Sequence, residues 1–457
     1  MNALAQYINL YKEHAQLVND HAPEALNRLR PWALDALESA RLPRKGDEKY
    51  PALSVEEMFA PDYGVNINRV PFSVDTAETF RCGVPNVSVL LAVVANDVFR
   101  PTTTLQRNLP EGVTVMSLAQ AAKEMPELVE KYYGKLVAEA PEGPSTASLL
   151  NTLLAQDGIF VHVAKNVHVD KPIQIVNISN ASAPMMSVRR ILVVLEDGAK
   201  ASMLLCDHTA NQEMQYLNSQ VAELYLGNGA QLDYYDMEET SPSTSRHSDL
   251  YACQSEGSRL VANGITLVGG TTRNNYTVDL TGPHTSTVLG GMAVCADKQV
   301  VDNCTNVRHN CEKGESQQMF KYILDNESVG SFYGTIRVDE KAKYTNAYQS
   351  NKNILASTDA RMHTRPQLEI YCDEVKCSHG ATVGQLDQNA LFYMRARGIP
   401  EAEARMMLMQ AFMADVIDSV SIPSLQSRLH QLVEMRLSGK RQLCGDCDAH
   451  CDSDKQS

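Results

Sequence analysis

The chain is poor in large aromatics, with one Trp and nine Phe in 457 residues. That leaves little platform for stacking sugar rings. It contains no run of about 20 apolar residues, so no membrane-spanning helix is expected. Lys and Arg number 41 against 55 Asp and Glu, a formal net charge of -14. Such a balance argues against a nucleic-acid binder, which needs a basic face, and suits a protein that meets other proteins. There is no G-x-x-x-x-G-K-[ST] loop, so the chain is not expected to hydrolyse ATP by itself. A G-x-S-x-G elbow is missing too. The carboxylates are scattered, and no pair can be singled out for glycoside chemistry. The first residues, Met1-Asn2-Ala3-Leu4-Ala5-Gln6-Tyr7, show no basic segment leading into an apolar core, so no secretory leader is expected. Eleven Cys without a leader point to a reducing compartment, the cytoplasm, and to mostly free thiols.

At this length two or three domains are expected. Residues 1–157 read as a helical and mixed region. Tyr7, Leu10, Tyr11, His14 and Leu17 keep a helical period, and Pro23 sits near the start of a second helix. Short strand-like runs such as 87–94 follow, then helices over 117–136 and 145–156 with a linker at 139–144. From 158 to 377 the texture changes to strand-like runs of four to eight residues. Glycine-centred turns at Gly198, Gly229 and Gly257 recur roughly every 30 residues, a spacing that suggests a repeat architecture. Helix-free strands at that period fit a sandwich or a solenoid. The Asn-rich patches (Asn274, Asn275, Asn303, Asn306, Asn351, Asn353) favour the solenoid, where stacked turns let amides bond to their neighbours. Residues 378–438 read as helical, with a stop at Gly398 and a new start at Pro400. An acidic, Cys-containing tail occupies 439–457.

The densest chemistry lies between Pro366 and Gly384. Cys372, Cys377 and His379 place two thiols and an imidazole a few residues apart, donors that suit iron, zinc, copper and iron–sulfur clusters. Cys377 and His379 are two apart, so on a strand they share a face. Cys372 is an odd number of residues from Cys377 and reads as structural. Gly380 and Gly384 suggest that the strand ends in a turn before a helix, with His379 at the junction. The bland alternatives are a histidine that caps that turn and a cysteine that is a small buried hydrophobe.

The stretch 366–400 resembles the SufB/SufD family of iron–sulfur cluster assembly scaffolds. The wording Lys376-Cys377-Ser378-His379-Gly380-Ala381-Thr382-Val383-Gly384 looks like the SufD branch. Gly380 stands where the SufB branch has a second Glu. Weaker resemblance runs back through Gly330-Ser331-Phe332-Tyr333-Gly334 and Glu315-Ser316-Gln317. It implies a mainly β fold, with a right-handed parallel β-helix flanked by N-terminal α/β and C-terminal helical domains. It also implies a scaffold without its own ATPase motif. Such a subunit pairs with a SufB-like subunit, recruits a SufC-like ABC ATPase through its C-terminal helices, and receives sulfur indirectly from a desulfurase system. His379, and with it Cys377, would then face a transient iron–sulfur cluster at the SufB–SufD interface. Phe392, Arg395, Arg397, Arg405 and Met409 are candidates for the partner face, while Met407, Leu408 and Phe412 are expected to pack inward. Flavin is associated with some such complexes, but this sequence shows no flavin motif.

Two other clusters stand apart. Cys304, His309 and Cys311 are loosely spaced for zinc. Cys444, Cys447, His450 and Cys451 in the tail supply enough donors for a tetrahedral site. Three rival readings remain. The first is a homodimeric scaffold of the same family. The second is a metal-binding or storage module using the tail. The third is a β-helix carbohydrate-active enzyme, whose leader, aromatic groove and paired acids are not apparent.

Overall fold

The computed structural model describes residues 3–71 and 89–438. Its centre is a parallel β-solenoid of about eight turns. Each turn gives one strand to each of two sheets. One sheet stacks Ile159–Val163, Met185–Leu195, Tyr216–Leu226, Thr244–Gln254, Thr271–Leu280, Val300–His309, Val329–Val338 and Arg361–Ile370. The other stacks Leu90–Ala95, Ile173–Ser179, Lys200–Thr209, Gln231–Glu239, Arg259–Val268, Ser286–Cys295, Glu315–Leu324, Asn346–Leu355 and Lys376–Gly384. The solenoid therefore overruns the 158–377 expected from sequence at both ends. Leu90–Ala95 pairs in parallel with Ile173–Ser179, and residue 377 falls inside the last strand.

The lumen is filled by inward residues such as Leu224, Leu250, Val278, Val307, Leu289 and Phe320, all buried. Outward residues are buried as well over much of the length, because helices cover both outer faces. Ala3–Asp20, Arg30–Glu38 and Thr146–Leu154 pack on the first sheet through Leu4, Leu37, Leu150, Val188 and Leu217. Glu401–Ile417 and Pro423–Leu437 pack on the second through Met413, Val416, Leu425, Ile265 and Met292. Parallel strands buried on both faces read as near-continuous apolar runs. Met185–Leu195, buried at every position, is the clearest case.

One corner of the solenoid carries a column of left-handed residues, one per turn: Asn166, Gly198, Gly229, Gly257, His284, Lys313 and Tyr344. Most of their amides bond to the next turn's carbonyl, for example Gly198 to Asn228 at 2.8 Å and Lys313 to Lys343 at 2.8 Å. The predicted amide stacking is present, with Asn274 Nδ2 donating to Asn303 Oδ1 on the next rung at 3.0 Å.

The two ends differ. At the first end the outermost strands run antiparallel: Val98–Pro101 against Leu90–Ala95, and Val113–Ser117 against Ile159–Val163. At the other end, Arg361–Ile370 and Lys376–Gly384 are the last strands of their sheets, with no further strand beyond them among the described residues.

Candidate functional site

The open end is built by register. Lys376–Gly384 pairs with Asn346–Leu355 so that Cys377 lies beside Ala347, His379 beside Gln349, Ala381 beside Asn351 and Val383 beside Asn353. Those four partners are buried. Aligned residues of a parallel pair share a face, so Cys377, His379, Ala381 and Val383 continue the lumen columns. Among the described residues no later rung covers them. His379 is exposed, Cys377 half-buried, and Val383 is 45% exposed. Ile370, at the end of the other terminal strand, is 42% exposed.

His379 thus sits in mid-strand and not at a strand-to-helix junction, since the next helix begins at Gln388. Gly380 and Gly384 misled the sequence reading. Both have ordinary extended backbone, and a Cβ at either would meet nothing within 4 Å. They mark an uncovered edge, not a turn. The shared face of Cys377 and His379 holds, and strand geometry spaces them by about 6.6–7 Å.

Cys372 is buried, and it packs with Leu368, Val375, Ala347 and Cys377. The chain bends at 373–374 between the two strands, so the even–odd rule of a single regular strand does not apply. The two thiols are therefore neighbours rather than on opposite faces. Burial, with Cys372 adding to it, pushes the Cys377 thiol up. It is held protonated in the free chain, and an incoming cation would have to displace that proton.

The second cluster does not assemble. Cys304 faces outward, where the cations of Arg273 and Lys49 oppose the rise that burial imposes on its thiol. His309 faces the lumen, its Nε2 paired with Ser316 Oγ at 2.8 Å and its pKa pushed down to about 4 by burial. Cys311 lies beyond the strand and donates to the Thr281 carbonyl at 2.7 Å. Residues five apart on a strand point to opposite faces. Cys444, Cys447, His450 and Cys451 lie outside the described residues. Among the described residues no three His, Cys, Asp or Glu side chains converge on one metal position. Cys377 and His379 bring a thiol and an imidazole to one face, and two side chains alone do not complete a tetrahedral metal site.

In the C-terminal helices, Phe392 is 74% exposed. Arg395 pairs with Glu401 at 3.0 Å, and Arg397 lies over the Tyr393 ring, 4.9 Å from its centroid. Both arginines are exposed. Two partner-face assignments need correction. Arg405 is half-buried and donates to the Ala356 carbonyl at 3.2 Å. Met409 packs against the solenoid together with Leu408 and Phe412. Met407, expected inward, is 42% exposed. The apolar run Met406-Met407-Leu408-Met409 leaves the helical phase ambiguous, and the packed stripe follows Met409, Met413 and Val416, four and three residues apart.

Sequence reasoning missed the residues under His379. Gln318, Gln349 and His379 fall one solenoid period apart and stack in one column. Aligning the rungs at that period would have found them.

The fold and its open end define a class: a helix-covered parallel solenoid that presents a thiol and an imidazole along an edge strand. Family models match the SufBD N-terminal region over residues 1–175 and the SufBD core domain of the SUF iron–sulfur cluster assembly system over residues 177–412. An iron–sulfur cluster assembly SufBD family protein of Synechocystis sp. is 30% identical over 433 residues, covering 93% of this chain and 94% of that protein. The iron–sulfur cluster assembly protein SufD of Escherichia coli is 28% identical over 64% of this chain and 69% of its own length. SufD of Bacillus subtilis is 26% identical over 72% and 74%. The chain belongs to the SufBD family of iron–sulfur cluster assembly proteins.

Proposed function

We propose that this chain is a SufD-like scaffold subunit, without catalytic turnover of its own, that works in the cytoplasm. Its open solenoid end pairs with a SufB-like subunit. Its C-terminal helices, through Phe392, Arg395 and Arg397, receive a SufC-like ABC ATPase. His379 and Cys377 give two donors to a nascent iron–sulfur cluster at the subunit interface. Sulfur reaches that interface as persulfide from a desulfurase system. One observation carries the reading: the last strand displays an imidazole and a thiol in the lumen columns, with no further rung stacked over them among the described residues. A partner supplying that rung would bury both groups and could add further ligands. An imidazole ligates iron once neutral, and a thiolate forms readily beside a cation.

The test is co-expression with SufB-like and SufC-like partners, with iron and acid-labile sulfide measured on the purified complex. His379→Ala should leave assembly intact and deplete both. If the variant fails to assemble, His379 is structural and the assignment is wrong. The unpaired edge also admits a second reading, pairing of two copies of this chain. The mass of the isolated chain in solution separates the two.

A further inference from the structure

Beneath His379 lies a polar side chain with an unused acceptor. Gln349 is 3% exposed and is the register partner of His379 on the adjacent strand. Its Nε2 donates to Gln318 Oε1 at 3.1 Å. Thr305 Oγ1 donates to that same oxygen at 2.7 Å. The first bond turns the Gln349 nitrogen toward the lumen network, and the second holds the Gln318 oxygen that accepts it; Gln318 Nε2 has no hydrogen-bond partner among the described residues. Gln349 Oε1 has no hydrogen-bond partner among the described residues either. A buried acceptor left unpaired costs about 1–3 kcal/mol. The His379 ring, one strand spacing away on the same face and itself free to turn at the open end, is the group placed to relieve that cost.

We propose that Gln349 is the positioning residue of His379. Its Oε1 accepts from one ring N–H, so one tautomer dominates and the other nitrogen presents its lone pair outward, toward the cluster. This inference rests on the reading of His379 as a cluster donor and adds what orients it. An imidazole ligand commonly donates its other N–H to a carbonyl or carboxylate, which fixes the tautomer and raises basicity, and loss of such a partner costs about 10–100-fold in metal affinity. Gln318 and Thr305 hold Gln349 in turn, so the support runs two rungs into the lumen.

The test uses the full chain with 15N-labelled histidine at a pH well above the ordinary imidazole range, the His379 signals being assigned by their loss in His379→Ala. The expected result is one dominant tautomer in the wild type, a mixed population in Gln349→Leu, and a return to one tautomer in Gln349→Glu, which keeps an acceptor in place. If Gln349→Leu does not fold, Gln349→Asn withdraws the acceptor by one methylene and should also give a mixture. Equal populations in the wild type, or populations unmoved by these substitutions, overturn the proposal. In the complex with SufB-like and SufC-like partners, Gln349→Leu should lower bound iron about tenfold or more. The two readings fail separately. A tautomer that responds while His379→Ala keeps its cluster would sink the donor role alone. A cluster that depends on His379 with an indifferent tautomer would sink the positioning role alone.

Discussion

The covered middle of the solenoid and its bare last rung are made of the same strands, yet they use charge and polarity in opposite ways. In the middle, several ionic groups are fully buried and paired. Arg190 meets Glu223 at 2.8 Å with both side chains 0% exposed, and Glu223 also accepts from the Gly134 and Leu136 amides. That cluster binds the N-terminal helices to the sheet. At the last rung the metal-binding side chains are few, and they are exposed or half-buried. Burial makes the middle intolerant of change. The absence of a neighbour leaves the end cheap to alter for the fold and costly for the function.

The largest effect should follow from breaking a buried pair in the middle. Arg190→Met leaves the Glu223 carboxylate buried without its cation, and the chain should lose about 3–5 kcal/mol in urea unfolding. A loss near zero would mean that water reaches Glu223 and that the middle is not as closed as described. A similar contrast should appear in pH. Burial holds the His309 ring at about 4, below its ordinary 6.5. The unfolded chain therefore takes up a proton at higher pH than the folded one. Stability present above pH 6.5 is lost as pH falls toward 4, on the order of 3 kcal/mol for this group. His208, also held at about 4 by burial, acts in the same direction. Glu238 acts in the opposite one. Burial raises it from 4.5 to about 7, so its contribution is present below 4.5 and fades as pH rises through 7. His309→Asn should flatten the acid limb of a stability-versus-pH curve between 6.5 and 4, and an unchanged limb would assign that slope elsewhere.

Substitutions at the bare rung should do the reverse. Val383→Lys places a charge on the uncovered lumen column and should move unfolding by no more than about 0.5 kcal/mol. It should nevertheless abolish co-purification with the SufB-like partner, because charge on an edge strand blocks further pairing. The smallest effect is expected from Cys377→Ser. It should cost under about 1 kcal/mol of stability and give a milder drop in cluster iron than His379→Ala. A drop as deep as that of His379→Ala would make the thiol an equal partner.

Much of this contrast was legible in the sequence, and its gaps have physical causes. The glycines at 198, 229 and 257 revealed the period because glycine marks a left-handed corner cheaply. The same corner continues through His284, Lys313 and Tyr344, which pay roughly 1–2 kcal/mol each for that conformation and carry no signature. Beyond Gly257 the sequence therefore shows the repeat only through its strand-like runs. At the open end the error was opposite. Gly380 and Gly384 looked like turn residues, because glycine in an extended edge strand and glycine in a turn are the same letter. The residue types at 377 and 379 were readable, as was their common face. What lay beneath them was not, since Gln349 becomes a neighbour of His379 only through the register of the rungs.

The antiparallel strands at the first end have a consequence for how chains can join. A solenoid with two bare ends could add copies head to tail without limit and grow into a fibre. Here Val98–Pro101 and Val113–Ser117 reverse direction at one end. A copy stacked there would meet reversed strands, whereas the other end offers strands that run with the solenoid. The two ends are therefore unlike surfaces, and a head-to-tail fibre would have to break its own parallel ladder at every joint. The reversal works against a repeat that could otherwise extend itself.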